Sequence, residues 1–108
     1  MNINMKPDLH KIALQTIEDM KANNIIDIDI SEKSSFCDYI IIATSTSDRH
    51  GRSIAENIVK KVKDFGLGTP AIEGGNTGAW MLIDLGNTVV HIFQEETRSL
   101  FRLEEIYK

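Results

Sequence analysis

The first third of the chain changes from a helical to an extended hydrophobic pattern. Residues 7–23 place apolar side chains three and four positions apart, which predicts a helix with one apolar stripe and with Pro7 in its first turn. The stripe comprises Leu9, Ile12, Ala13, Ile17 and Met20. In residues 24–31, isoleucine alternates with Asp27 and Asp29, which is typical of a strand with one solvated face. We therefore expect a helix followed by a strand near a sheet edge.

The middle of the chain predicts a buried strand followed by a long helix. Residues 38–45 (DYIIIATS) are apolar on both faces, as in a central strand that is covered on both sides. From Ser47 to about Phe65 apolar residues recur at helical spacing, and Gly66 stands where a left-handed C-cap belongs. Ser47 or Asp48 is the expected N-cap, because either side chain can accept a free backbone N–H of the first turn.

A β-hairpin is predicted for residues 80–93, where two apolar runs flank the turn dipeptide Gly86-Asn87. A two-residue turn there opposes Trp80 to Phe93 and divides the hairpin into two faces. The aliphatic face carries Met81, Ile83, Leu85, Val90 and Ile92, and the aromatic face carries Trp80, Leu82, Asp84, Val89, His91 and Phe93. The aliphatic face is predicted to be core. The aromatic face fits either the centre of a protein–protein contact or a surface covered by a helix of this chain.

A loop and a tail complete the chain. Residues 66–78 are rich in glycine and turn formers, and they leave room for one short extended piece at 71–73. The tail, residues 94–108, predicts one or two short helices anchored by Leu100, Leu103 and Ile106. The resulting order α-β-β-α-β-β-α predicts a mixed α/β sheet with flanking helices, in a single domain over residues 1–108.

Composition and charge reduce the number of functional classes to which the chain can belong. Of the 108 residues 42% are hydrophobic and 26% are charged, which is typical of a globular protein, and the formal charge of −4 disfavours binding to a nucleic-acid backbone. No apolar run approaches the ~20 residues that span a bilayer, and residues 1–10 lack a signal-peptide or transit-peptide pattern. Cys37 is the only cysteine, so we expect no internal disulfide, a cytoplasmic location and a small buried apolar role for this side chain.

The polar segment TSTSDRHGRS, residues 44–53, is the main candidate for chemistry. A hydrolase would need a serine nucleophile, a histidine base and an aspartate that orients the histidine. The candidates for these roles are Ser45 or Ser47, His50 or His91, and Asp48 or Asp84. The glycine-flanked elbow that exposes such a nucleophile is absent from this segment. A phosphate site at the helix N-terminus would use Arg49 and Arg52, but the segment lacks Walker spacing.

Cations at the start of the second helix need a partner. Arg49, His50 and Arg52 lie at the positive end of the helix dipole, which costs up to ~1 kcal/mol for each charge that is not partnered. We therefore expect acidic groups near this turn, either in this chain or in a binding partner. Together with Asp48, these three residues form a candidate docking rim.

The sequence suggests two metal-binding hypotheses. Asp27 and Asp29, two positions apart on a strand, could hold Mg²⁺ in a small nucleotide-dependent enzyme of the nucleotidyltransferase type, which is the alternative function. The same alternation makes them solvated strand residues, and we favour that interpretation. His10, His50 and His91 lack metal-ligand spacing. We therefore predict no metal, no cofactor and no catalytic residue.

Four motifs occur in a specific order along the chain. They are DYIIIATSTSDRH at 38–50, EGG at 73–75, WMLIDLGNTVVHIF at 80–93 and RSLFRLEEIY at 98–107. Together they resemble the ribosomal silencing factor family, also called Iojap-like, although Ser45 stands where glycine is frequent in that family and Asn87 where aspartate is frequent. The resemblance implies a nucleotidyltransferase-like core without a catalytic site, and hence a protein that is not an enzyme.

The resemblance also implies a partner. Family members bind large-subunit ribosomal protein fourteen on the inter-subunit face of the large ribosomal subunit, where their bulk blocks joining of the small subunit and represses translation. The family's contact motif falls on Trp80, Met81, Leu82, Ile83 and Asp84, and His91 and Phe93 join the predicted contact set because they share the aromatic face. Met81 and Ile83 point to the aliphatic face, where we expect them to hold the strand in place. A homodimer through the aromatic face is a further possibility for the free protein.

Overall fold

The computed structural model describes residues 8–74 and 78–107, which form one mixed sheet with helices on both sides. The elements are α1 (Leu9–Asp19), β1 (Asn23–Asp29), β2 (Tyr39–Ser45), α2 (Asp48–Asp64), β3 (Ile72–Glu73), β4 (Trp80–Asp84), β5 (Thr88–Gln94), α3 (Glu95–Phe101) and α4 (Leu103–Ile106). The predicted α/β class is confirmed. The predictions for Pro7 and for the last residue of the EGG motif lie outside the described residues. No helix in the described part is long and apolar enough to cross a membrane.

The five strands are arranged in the order β1-β2-β5-β4-β3. β2 and β5 are parallel, and the other neighbours are antiparallel. β1 lies at one edge and β2 in the interior, as predicted, and β3 forms the other edge at the position of the predicted short extended piece. The hairpin register is also confirmed, because Trp80 opposes Phe93 and the Leu85 N–H donates to the Thr88 carbonyl at 2.9 Å.

The sheet separates two hydrophobic clusters. On one side, α1 and α2 cover the aliphatic face, and all five of its residues belong to the larger cluster. Ile41, Ile54 and Ile58 of β2 and α2 are fully buried in the same cluster. On the other side, Phe93 packs with isoleucines of β2 and with Ile30, and the tail contributes Leu103 and Tyr107. Both faces of the central strands are therefore covered, as the continuous apolar run in β2 predicted.

Helix α1 ends earlier than predicted. Lys21 has a φ of 61°, and its N–H donates to the Glu18 carbonyl at 3.0 Å. The Ala22 N–H donates to the Ile17 carbonyl at 3.2 Å, which completes a Schellman motif and satisfies carbonyls that the helix leaves free. The prediction of a helix through residue 23 was therefore wrong, because the backbone reverses at Lys21 and β1 has begun by Asn23.

Helix α2 begins and ends where predicted. The Ser47 hydroxyl accepts the His50 backbone N–H at 3.0 Å, so Ser47 is the N-cap and Asp48 is the first helical residue. At the other end, Gly66 has a φ of 73° and its N–H donates to the Lys63 carbonyl at 2.8 Å. A left-handed conformation at this position favours glycine, which explains the sequence signal.

The tail differs from the prediction at two of its three anchors. Leu100 and Ile106 are 77% and 68% exposed, whereas Leu103 does pack against the smaller cluster. The reason is Arg102, which adopts a left-handed conformation with a φ of 49° and separates α3 from α4. This break resets the helical phase between Leu100 and Leu103, so these two residues no longer share one side. It does not account for Ile106, which follows Leu103 in α4.

Candidate functional site: the aromatic face

The side chain of Trp80 is half-buried and is held by three neighbours. Its indole N–H donates to Nδ1 of His91 at 3.0 Å. Its ring stacks on Phe93, with the two ring centroids 5.0 Å apart, and meets Phe101 of α3 at 4.8 Å. Contacts of this kind are worth ~1 kcal/mol each beyond the buried area, so the indole is well ordered before any partner arrives.

His91 lies beneath Trp80 and is 6% exposed. Burial lowers the pKa of His91 from 6.5 to about 4, because the charged imidazolium loses its hydration there. The ring is therefore neutral near pH 7. Since Nδ1 accepts the indole N–H, the ring proton sits on Nε2. His91 thus supports Trp80 as a hydrogen-bond acceptor and does not act as a base at the surface.

The predicted contact residues separate into surface and supporting positions. Met81 and Ile83 are buried on the aliphatic face, as the alternation predicted. His91 and Phe93 are also buried, so in this structure they support Trp80 rather than face a partner. The residues that reach the surface are Trp80, Leu82 and Asp84.

Two grooves flank Leu82. The first, of about 430 Å³, is lined by Glu73, Gly74, Ala79, Trp80, Leu82 and Thr97. The second, of about 520 Å³, is lined by Ile30, Lys33, Ser34, Phe36, Cys37, Ile40, Leu82, Val89, His91, Ile106 and Tyr107. Phe36 and Ile106 are largely exposed beside the second groove. The surface around Trp80 therefore combines an ordered indole ring with two grooves that meet at Leu82.

Both interpretations of the aromatic face hold in part. The tail crosses it, with Phe101 against Trp80 and with Leu103 and Tyr107 against the cluster of Phe93. Trp80 nevertheless remains partly exposed, and Phe101 is 47% exposed beside it. A helix of this chain thus covers one end of the face and leaves an aromatic pair at the surface.

Cys37 is half-buried against the smaller cluster rather than fully buried. Burial raises the pKa of its thiol, and the nearby carboxylates of Asp84 and Asp38 raise it further. The thiol therefore stays protonated near neutral pH, in keeping with the predicted apolar role.

The residues predicted for a hydrolase do not form a catalytic set. Ser45 is buried, and its hydroxyl donates to the Phe93 carbonyl at 3.4 Å, whereas Ser47 is the cap of α2. The Asp84 carboxylate accepts the Gly86 N–H in the hairpin turn at 2.9 Å. His91 is bonded to Trp80 on the aromatic face. Each of these four side chains thus has a structural partner within the fold.

Arg52 and His50 at the start of α2 have partners within this chain. Arg52 Nε lies 2.7 Å from Asp48 Oδ1, one helical turn apart. The His50 ring accepts the Thr46 backbone N–H through Nδ1 at 2.9 Å and donates through Nε2 to the Met20 carbonyl at 2.7 Å. Met20 caps the C-terminus of α1, where the helix dipole favours a donor. The expectation of an acidic partner within the chain is therefore confirmed for Arg52.

The carboxylates of β1 are also engaged. Both oxygens of Asp27 lie 2.8 Å from Nε2 of His10, whose ring stacks on Tyr39 at 3.8 Å. Asp29 accepts the hydroxyl and the backbone N–H of Ser31, and these two bonds lower the pKa of Asp29. Within residues 8–74 and 78–107, no group of three or more histidine, cysteine, aspartate and glutamate side chains is placed to hold a metal ion.

Two residues of the site were missed at the level of sequence. Phe101 contacts Trp80, and Arg98, one helical turn earlier, is buried beneath α3. The available signal was the RSLFRLEEIY motif, in which an arginine stands close to a phenylalanine on a short helix. Helical periodicity selected Leu100 instead, because periodicity alone does not show which side of a short helix meets the sheet.

Comparison with known proteins identifies the family. A family model described as ribosomal silencing factor during starvation matches residues 4–108. The chain belongs to this family. It is 35% identical over 99 residues to the ribosomal silencing factor RsfS of Haemophilus influenzae, an alignment that covers 92% of this chain and 97% of that protein. Membership implies regulation of translation at the ribosome and agrees with the four sequence motifs.

A solved structure and a mammalian protein are also similar to this chain. A crystal structure of a protein from Chromobacterium violaceum superposes with a TM-score of 0.87 at 31% identity, covering 99% of this chain and 87% of that one. A mouse protein named mitochondrial assembly of ribosomal large subunit protein 1 is 29% identical over 89 residues, which cover 80% of this chain and 39% of the mouse protein. The silencing factor fold is therefore the fold described above.

Proposed function

We propose that this chain represses translation by binding the large ribosomal subunit and blocking, through its bulk, the joining of the small subunit. The binding partner that we propose is large-subunit ribosomal protein fourteen. Family membership supports the link to the ribosome, and the name of the mouse relative refers to the large subunit. The observation that carries the proposal is the partly exposed indole of Trp80, held in place by His91, Phe93 and Phe101.

The aromatic face has the properties of an interface centre. Tryptophan and phenylalanine bury ~150–250 Å² each, so Trp80, Phe101 and Leu82 supply a few hundred of the ~800 Å² that a standard contact buries on each partner. A ring that is already ordered loses little conformational entropy on binding. Grooves beside Leu82 offer recesses into which apolar side chains of the partner can insert. Trp80, Leu82 and Asp84 are accordingly the proposed contact residues, with Met81, Ile83, His91 and Phe93 as their support.

The docking rim is proposed to lie at the start of α2. Gly78, two residues before Trp80, packs so closely on Asp48 that a Cβ at this position would overlap the carboxylate. This contact brings the first turn of α2 next to the strand that carries the indole. Arg49 is exposed there, and Arg52 is partly exposed beside Asp48. These groups are placed to meet polar groups at the edge of a partner docked on Trp80.

The proposal requires no catalysis and no cofactor. A factor that blocks subunit joining only has to occupy space that the small subunit needs, and its affinity comes from the contact surface. We propose accordingly that residues 1–108 act as one domain in the cytoplasm, without enzymatic activity. For the free protein we propose that two copies can pair through the aromatic face, since the same apolar surface is then available.

Binding to isolated subunits tests the proposal. Wild-type protein is expected to co-sediment with purified large subunits and to lower the yield of joined ribosomes when small subunits are added. Trp80→Ala should abolish both effects while circular dichroism shows a retained fold. The matched control is Phe65→Ala, which removes an exposed aromatic residue at the end of α2, on the opposite side of the sheet.

The outcomes separate three possibilities. Loss of binding in Trp80→Ala but not in Phe65→Ala supports docking through the aromatic face. Undiminished binding of folded Trp80→Ala would contradict it. A dimer measured by analytical ultracentrifugation that ribosomal protein fourteen cannot dissociate would instead assign the aromatic face to self-association.

A further inference from the structure

Arg98 is the only aspartate, glutamate, lysine or arginine side chain that is buried within residues 8–74 and 78–107. A buried guanidinium is costly unless hydrogen bonds replace its water. Arg98 obtains them from three parts of the fold. Nη1 donates to the Asn24 carbonyl at 2.6 Å and to the Thr44 hydroxyl at 2.8 Å, and Nε lies 3.3 Å from Oε1 of Glu104. One side chain thus joins β1, β2 and α4 to α3.

The backbone around these partners is shaped to receive Arg98. β1 carries one extra residue between Asn23 and Ile26, where its register against β2 shifts, and Asn24 has a φ of 48°. A bulge of this kind takes backbone groups out of the ladder. The Asn24 carbonyl is thereby available to a donor outside the sheet. On the other side, the left-handed Arg102 turns the chain so that Glu104 comes back to the guanidinium.

The position of Arg98 determines the position of Phe101. The two residues are three positions apart on α3, so they project from adjacent points of one helix side. α3 follows β5 without a connecting loop, and Phe101 at its end packs against Trp80 and Phe93 of the hairpin. Holding Arg98 therefore restricts rotation of the helix and keeps the Phe101 ring against the indole.

We propose that Arg98 is a positioning residue for the docking surface, one that orders the Trp80–Phe101 pair without touching the partner. This inference rests on the proposed function, because the aromatic pair is taken as the contact with the large subunit. Loosening Arg98 lets α3 and α4 move and separates Phe101 from Trp80. The indole then keeps only His91 and Phe93, and binding has to restore the order that Phe101 supplied. That ordering cost reduces affinity.

Trp80 itself reports on the proposal, since it is the only tryptophan in the chain. Arg98→Met keeps the length of the side chain and removes the donors. We expect it to raise acrylamide quenching of Trp80 fluorescence, to shift the emission to longer wavelength and to weaken large-subunit binding by about tenfold. Phe101→Ala should produce the same changes. Lys63→Met, which removes one exposed cation from α2, is the matched control and should change neither measurement.

The double variant separates positioning from general destabilisation. If Arg98 acts through Phe101, Arg98→Met combined with Phe101→Ala should bind no more weakly than Phe101→Ala alone. Losses that multiply would overturn the proposal. So would folded Arg98→Met with the quenching of the wild-type protein.

Milder variants cover the case in which Arg98→Met fails to fold. Thr44→Val removes one acceptor of the guanidinium, and Glu104→Gln removes the charge of another. Both should give quenching between the wild type and Phe101→Ala, and wild-type quenching in both would overturn the proposal. If wild-type protein does not bind large subunits at all, the proposed function fails, while the fluorescence comparison still decides whether Arg98 positions Trp80.

Discussion

The indole N–H of Trp80 donates to Nδ1 of His91 across the β4–β5 hairpin, with 3.0 Å between the two nitrogens. The two residues are diagonal neighbours, because Trp80 opposes Phe93 and Leu82 opposes His91. A long aromatic side chain can span that diagonal, and here it places a donor over an imidazole that burial keeps neutral. The bond thus connects the surface of the candidate site to the interior of the sheet.

The contribution of this hydrogen bond to the free energy of unfolding can be measured with Trp80→Phe. Phenylalanine retains most of the apolar ring but leaves buried Nδ1 of His91 without a donor, which we expect to lower the free energy of unfolding by ~1–3 kcal/mol. Urea denaturation measures the loss. In the control, Trp80→Phe combined with His91→Leu removes both polar partners and should recover part of the stability. A double variant that is no more stable than Trp80→Phe would contradict this account.

The lowered pKa of His91 predicts an acid-sensitive fold. The unfolded histidine titrates near 6.5 and the folded one at about 4, so the unfolded chain binds more protons between these values. Stability should therefore be at its full value above about pH 6.5 and should fall towards pH 4, by on the order of 3 kcal/mol in total. Urea denaturation at a series of pH values measures this.

A variant without the imidazole isolates the contribution of His91. His91→Gln should flatten the slope between pH 6.5 and pH 4, whatever its effect on stability at neutral pH. The lowered pKa of Asp29 belongs to a lower pH range, below its ordinary value of 3.8, and does not interfere. An equally steep slope in His91→Gln would show that another group carries the acid sensitivity.

The contact between Gly78 and Asp48 predicts that Gly78 cannot be replaced without a loss of stability. Gly78 has a φ of 68°, and an added Cβ would overlap the Asp48 carboxylate. Gly78→Ala should lower stability by ~2–3 kcal/mol, which combines backbone strain with displacement of the first turn of α2. Gly66→Ala is the control, because Gly66 has a φ of 73° and no atom within 4 Å of the added Cβ. It should lose only the backbone strain of ~1–2 kcal/mol, and equal losses measured by thermal unfolding would contradict the contact.

The engagement of Asp27 and Asp29 predicts no nucleotide binding. Because His10 engages both carboxylate oxygens of Asp27 and Ser31 engages Oδ1 of Asp29, titration with Mg²⁺ and nucleoside triphosphates should give neither saturable heat in calorimetry nor a thermal shift. Saturable binding that disappears in Asp27→Asn would instead support the alternative of a small nucleotide-dependent enzyme. Glu32→Gln, an exposed acidic residue just after β1, is the matched control for loss of one charge.

Local features of the chain could be predicted well. The limits of α2 were narrowed to Ser47 or Asp48 at its start and to Gly66 after its end, because a capping side chain and a left-handed glycine act within one helical turn. The contact motif was divided correctly between the two faces, because alternation along a strand is a local property. The end of α1 was missed, since Lys21 takes a left-handed conformation that glycine or asparagine usually signals.

Features that depend on distant residues could not be predicted. Leu100 had the right spacing to anchor the tail, yet it faces solvent, and Arg98 takes the buried side of α3. An arginine is a poor candidate for burial until its acceptors are known, and those acceptors, Asn24 and Thr44, lie 74 and 54 positions away. Phe101 could not be predicted for the same reason, because its role depends on its contact with Trp80, which is distant in the sequence.

The sequence by itself determined the strands, the limits of α2 and the hairpin register, because periodicity, caps and the Gly86-Asn87 turn are properties of short stretches of chain. It also determined which residues share the aromatic face. Only the tertiary structure decided how much of that face remains open. That outcome depends on where the tail lies, and the tail is held by hydrogen bonds from Arg98 to parts of the chain that come together only after folding.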